Sequence, residues 1–271
     1  MNHRQPAMID SRDRGLAYGD GLFETIRVAA DGSMPLLKLH LERFQRGADA
    51  LGIPFPEPGQ VDIALAQAQA TLASPGVIKL ILTRGVGGRG YLPPANPVPT
   101  LVWQSGNLPV WSDADRKKGI VMGLCTQPLL PDAYAGHKHL NRLAQVQARI
   151  EVARQGWQEG LLLSARQQPL EATAMNLFAR FEEGWWTPDL GKANAGVSGV
   201  MRQWLLRHLG DNGEVIRCDL RPLSQLRHAQ GVFLSNSVVG VLPVRKLAQW
   251  QWAVTDSVRV VQARVDALFA A

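Results

Sequence analysis

Strand-type and helix-type apolar patterns follow one another at unequal intervals along this 271-residue chain, and that irregularity limits the fold more than any other feature. A solenoid needs a fixed repeat and a parallel barrel needs regular strand–helix units, and neither is present. The first third reads as strand, helix, helix, strand, strand. Residues 22–28 (Leu-Phe-Glu-Thr-Ile-Arg-Val) favour a strand whose period of two sets Phe23, Thr25 and Arg27 on one face. Leu37, Leu41, Phe44, Ala48 and Leu51 recur at helical spacing, and Gly52 and Pro54 supply a stop. A second helix is predicted at about 61–73, ending at Ser74-Pro75-Gly76, with strands at 77–83 and 100–104. Residues 105–113 (Ser-Gly-Asn-Leu-Pro-Val-Trp-Ser-Asp) read as a connector. The expected organisation is a smaller N-terminal α/β domain (1–106), a link (107–113) and a larger α+β domain (114–271). In the latter, strands are predicted near 119–125, 160–165, 176–181, 214–218 and 231–235, and helices near 141–154, 198–209 and 256–269. The fold class is α+β with two domains.

With 46% hydrophobic and 19% charged residues, the chain has the apolar surface a core requires, which excludes a disordered protein. No apolar run reaches the roughly 18 residues of a membrane span, and Met1-Asn2-His3-Arg4-Gln5-Pro6 shows no leader. The expectation is a cytoplasmic protein without a membrane partner. Cys125 and Cys218 are too few for a disulfide framework or a cysteine zinc cluster. The net charge of +6 raises nucleic acid as a partner, but the basic residues are scattered and the longest run is Arg116-Lys117-Lys118. No nucleic acid is expected. Small anionic substrates account for a basic chain equally well.

The common nucleophile-elbow, phosphate-loop and zinc-helix motifs are absent, and His137 and His139 alone do not make a metal site. Arg84-Gly85-Val86-Gly87-Gly88-Arg89-Gly90-Tyr91 suits a mobile loop carrying cations toward carboxylates; a flexible surface hairpin has the same pattern. Lys138 stands where a loop meets a helix. A lysine of lowered pKa there can form a Schiff base, and a solvated lysine is the other reading. Glu171 follows a turn and precedes a strand, either as a surface acid or as a proton acceptor for a ring nitrogen. Ser198, at or near a helix N-cap, and Ser235-Asn236-Ser237 are each compatible with an anion site or a plain turn.

Taken in order, these segments resemble the pyridoxal-phosphate enzymes of fold type IV, the D-amino-acid and branched-chain aminotransferase fold. The resemblance runs through Tyr18-Gly19-Asp20-Gly21-Leu22-Phe23-Glu24-Thr25, His40-Leu41-Glu42-Arg43, the lysine segment and Leu170-Glu171-Ala172-Thr173-Ala174-Met175-Asn176-Leu177-Phe178. It continues through Gly196-Val197-Ser198-Gly199-Val200-Met201-Arg202 and Ser235-Asn236-Ser237. The glycine-rich segment and Lys138-His139-Leu140-Asn141-Arg142-Leu143 look like the 4-amino-4-deoxychorismate lyase subfamily.

The resemblance implies that Lys138 carries pyridoxal 5'-phosphate as a Schiff base and that Arg43 pairs with the cofactor phosphate. The amides of Val197 and Ser198, with the hydroxyls of Ser198 and Ser237, would complete the phosphate cup. Where the family often has Gly-Thr, this chain has Asn236-Ser237. Glu171 would hold the pyridine nitrogen protonated. Lys138 would remove the substrate's C4 proton, Thr25 would relay a proton, and elimination would yield 4-aminobenzoate and pyruvate, a step of folate biosynthesis. The dianionic substrate would be met by Arg89 first and Arg27 next, with Asn141 beside them. The resemblance also implies a homodimer. A D-amino-acid or branched-chain aminotransferase is the alternative on the same fold, and a non-catalytic basic binding protein is the alternative outside it.

Overall fold

The computed structural model describes residues 8–72 and 75–270. The leader reading at residues 1–6 and the helix end at Ala73-Ser74 lie outside them. A short helix, α1 (Arg14–Tyr18), precedes strand β1 (Gly21–Val28), helices α2 (Leu37–Leu51) and α3 (Gln60–Ala70), and strands β2 (Gly76–Thr83) and β3 (Thr100–Gly106). The three strands form one antiparallel sheet in the order β1-β2-β3, with Gly21 opposite Thr83 and Val77 opposite Gly106. Alternation sorts its faces. Leu22, Ile26, Val28, Ile78, Leu80 and Leu82 are buried against Phe44, Ala48, Ile53 and Leu65 of the helical layer. Phe23, Thr25 and Arg27 look the other way and are half-buried.

A second unit of sheet begins after α4 (Asp113–Lys118). Its elements are β4 (Ile120–Leu124), α5 (Leu143–Arg154), β5 (Glu159–Leu163), β6 (Pro169–Ala172), β7 (Asn176–Phe181) and β8 (Gly184–Pro188). They continue with α6 (Leu190–Ala193), α7 (Val200–Asp211), β9 (Ile216–Asp219), β10 (Gly231–Asn236), β11 (Gly240–Leu247), β12 (Trp250–Gln251) and α8 (Asp256–Leu268). The strands run β10-β11-β4-β5-β6-β7-β8-β9, and β10 also pairs with β7, so six of them close into a barrel. Pairing is mixed: β4 lies parallel to β11 and β5, and β8 parallel to β9. Ile120, Met122, Leu161, Leu177, Leu234 and Leu242 pack in one core cluster. Phe178 and Phe233, stacked at 5.0 Å, belong to another with Met201 and Leu205 of α7 and Val258 and Val265 of α8.

Every predicted strand and helix of this part is present within a few residues. Four strands were not predicted. Those at 169–172 and 184–188 are buried along their whole length and so show no alternation. The strand at 240–247 contains Pro243, a residue that argues against an interior strand. The fourth, at 250–251, is two residues long. Where β6, β7 and β10 pair, Glu171, Asn176 and Ser235 stand in one row across the barrel wall.

Candidate active site

The segment carrying Lys138 runs between the two sheets and is fastened to both. On one side Phe23 N–H donates to the Lys138 carbonyl and Leu140 N–H to that of Gly21, each at 2.9 Å. On the other, Gly136 N–H donates to Gly196 O at 2.8 Å and Ser198 N–H to Gly136 O at 3.0 Å. The Lys138 amine lies 4.2 Å from the centre of the Phe23 ring. Its desolvation, reinforced by the Arg43 charge, lowers it from 10.5 to about 8.

A cavity of about 440 Å³ opens around this amine. Phe23, Thr25 and Val77 of the three-stranded sheet line one side, Arg43 another, and Glu171, Asn176, Val197 and Ser237 the barrel side. Arg43 is held by Glu24, with Nε to Oε1 at 2.7 Å and Nη2 to Oε2 at 2.6 Å, while Nη1 donates to Ser198 O at 3.1 Å. His40 Nδ1 meets the same carboxylate at 2.6 Å. Burial alone would raise the Glu24 carboxyl, but Arg43 and His40 outweigh it and hold it at about 2. Burial keeps His40 below its ordinary range, so a neutral imidazole donates from Nδ1.

Glu171 is fully enclosed. Its Oε2 accepts from Val197 N–H at 2.8 Å and its Oε1 from Gln145 at 3.4 Å, and burial pushes its carboxyl upward. Ser237 Oγ donates to Thr25 O at 3.4 Å, and Asn236 Oδ1 shapes the same turn by accepting from the amides of Val238 and Val239. No side chain caps α7, whose N-cap is Gly199, so its first-turn N–H groups are left for another acceptor.

Lys138, Arg43, Glu171, Thr25, Val197 and Ser237 are therefore brought together, and Ser198 reaches the group through its carbonyl. Three expectations change. The amides of Val197 and Ser198 are already engaged, by Glu171 and by Gly136, so the helix start at 199–201 is the better anion acceptor. Arg27 leaves the cavity: Nη1 donates to Val238 O at 3.0 Å and its guanidinium lies over the Phe269 ring at 4.2 Å. Asn141 donates to Gly19 O at 3.2 Å and lines a separate cavity of about 640 Å³. Arg89 is exposed at the tip of its loop, outside the wall of this chain's own cavity.

That loop is less free than its glycines suggest. Gly85 approaches Val98 so closely that a Cβ would lie 1.8 Å from its carbonyl oxygen. Buried Arg14 straps the far end, donating to Gly90 O at 3.2 Å and Tyr91 O at 2.6 Å. Asp20 accepts from both Arg14 and Arg84, each at 2.8 Å. Sequence reasoning passed over Glu24, His40, Arg14 and Arg142. The signal for the first two was present: period two puts Glu24 on the apolar face of β1, and helical spacing puts His40 and Arg43 beside Phe44.

Residues 21–247 match the amino-transferase class IV family. The chain belongs to that family. Among curated class IV relatives, the aminodeoxychorismate lyase of Vibrio harveyi is 35% identical over 239 residues, covering 86% of this chain and 84% of its own. Among solved structures, the 4-amino-4-deoxychorismate lyase of Pseudomonas aeruginosa superposes with a TM-score of 0.91 at 37% identity, over 99% of this chain and 98% of its own. The pyridoxal-phosphate-bound form of a hypothetical aminotransferase from Mycobacterium tuberculosis has a TM-score of 0.84 at 22% identity, over 99% and 95%, which speaks for the fold. The architecture is fold type IV, and pyridoxal phosphate is the cofactor of this family. The residues present fit it: an amine of lowered pKa for its aldehyde, an enclosed acid for its ring nitrogen, and an arginine with an uncapped helix start for its phosphate.

Proposed function

We propose that this chain is a pyridoxal-phosphate-dependent carbon–oxygen lyase that converts 4-amino-4-deoxychorismate to 4-aminobenzoate and pyruvate. The observation that carries the reading is Lys138, fastened to both sheets with its amine lowered to about 8 in one cavity with Arg43 and Glu171. The likeness to the lyases of V. harveyi and P. aeruginosa, each above a third identical, supports the substrate.

When bound, pyridoxal phosphate supplies an electron sink for the charge left at the substrate's C4. Arg43, oriented by Glu24, and the start of α7 bind the phosphate; Ser237 stands at the same end. Glu171 keeps the ring nitrogen protonated, at a distance from bulk water that strengthens the interaction. Lys138 holds the aldehyde between turnovers and takes the C4 proton during one. An amine near 8 is partly unprotonated at neutral pH and still basic enough to accept a proton. Thr25 relays a proton on the Phe23 side of the cavity. Arg89 binds a substrate carboxylate; Arg27 and Asn141, engaged elsewhere, support the frame instead.

The two sheets correspond to domains 1–106 and 114–271 joined by 107–113. The working state is a cytoplasmic homodimer, supported by the exposed Leu16, Val86, Tyr91 and Leu92 beside Arg89, which a second copy would cover. Among the described residues no helix is long and apolar enough to cross a membrane. The deciding assay is pyruvate release from 4-amino-4-deoxychorismate with no keto acid added. A strict requirement for a keto acid acceptor would make the chain an aminotransferase instead. Full activity of a monomer in light scattering would remove the dimer.

A further inference from the structure

Arg142 occupies an unfavourable place. It is the N-cap residue of α5, where the partial positive charge of the helix start repels a guanidinium, and it makes no capping bond there. Helix stability does not explain it. Its side chain turns back instead: Nη2 donates to His137 O at 2.7 Å and Nε to His139 O at 2.9 Å. Between those two carbonyls lies that of Lys138, which accepts from Phe23 N–H. Three consecutive carbonyls are thereby held, two of them by one arginine. The guanidinium also forms part of the cavity wall.

We propose that Arg142 is a positioning residue for Lys138, its fork fixing the backbone on both sides of the lysine so that the amine is delivered to the cavity. The inference rests on the reading of Lys138 as the cofactor-holding lysine. A rigid planar fork can satisfy two divergent carbonyls at once, which an ammonium on a flexible stem does not. Position and charge are separable. The charged groups facing the Lys138 amine are Arg43 on α2, Glu24 on β1, Glu171 on β6 and Arg142 itself, with His40 contributing from α2 when protonated. Replacing Arg142 by lysine keeps the charge and removes the fork.

The test is covalent capture of pyridoxal phosphate by the cofactor-free protein. It is followed by borohydride reduction and mass spectrometry of the Lys138 peptide, across pH, beside a thermal unfolding curve. R142K is expected to slow capture by about ten- to a hundredfold, the loss of one or two charge-assisted hydrogen bonds, with the pH midpoint and the unfolding midpoint unchanged. Capture at the wild-type rate, or a loss that vanishes once the pH midpoint is realigned, would overturn the proposal in favour of a purely electrostatic role. Should R142K unfold early, R142Q, whose planar amide reaches one carbonyl, is read in the same way and should fall between the two. Absence of label on Lys138 in the wild-type protein would instead overturn the reading beneath it.

Discussion

The chain carries two loops built around cations, and they solve opposite problems. The Lys138 segment is tied to both sheets, its amine is desolvated over Phe23, and its charge is thereby made negotiable. The loop from Arg84 to Tyr91 is tied at its two ends only, through Gly85 and through Arg14, and leaves Arg89 in solvent with its charge intact. A cation that exchanges protons must be stripped of water; one that collects anions must keep facing it. The difference teaches that loop position in a sequence says little about role until burial is known.

The sharpest break between the two is Lys138→Ala. It should abolish the borohydride-reducible adduct while leaving the fold intact, because the backbone contacts that pin the segment survive the change. A reducible adduct persisting in that variant would remove Lys138 from its role. Arg89→Ala should do the reverse. Cofactor absorbance stays normal while kcat/KM falls by about ten- to a hundredfold, with Arg89→Lys recovering part of it because a point charge lacks the bidentate fork. Unchanged kcat/KM would make the loop a bystander.

Glu24 sharpens the comparison from the buried side. Its carboxyl lies at about 2 against an ordinary 4.5, so the stabilisation is complete above 4.5 and is lost as the pH falls through about 2. Its order of magnitude is about 3 kcal/mol. In denaturant titrations, the stability gap between wild type and Glu24→Gln should narrow over that window; a constant gap would show that the ionised pair contributes nothing. The smallest effect is expected from Arg14→Ala on the exposed loop. Trypsin should cleave native protein after Arg89 several times faster once the strap on Gly90 and Tyr91 is gone, and an unaltered cleavage rate would mean the loop is held by its other end alone.

Much of the frame was legible because long elements advertise their period: β1 by alternation, α2 by its Phe44 and Ala48 stripe. So was the central lysine, from its place between loop and helix. Illegible were the elements without contrast, such as β8, where Trp185 and Trp186 are both buried and no face differs from the other. Side-chain destinations were harder still. Arg27 shares a strand face with Phe23 and Thr25, yet its partner Val238 lies 211 residues away, and nothing local announces that choice. Arg142 was quoted as part of a motif, but its fork is read only when the carbonyls of His137 and His139 are seen to converge on it.

The closed barrel also decides how the cavity can be entered. Glu171 on β6, Asn176 on β7 and Ser235 on β10 are joined rung by rung, and the turn bearing Ser237 follows directly from the last of them. To spread that wall would mean unzipping the ladder that shuts the barrel. The opposite wall is attached by far less: Arg43 to Ser198, Ser237 to Thr25, Arg27 to Val238. The barrel is thus the frame and the three-stranded sheet the door, hung on a few bonds, and traffic of substrate and product falls to the small sheet to admit.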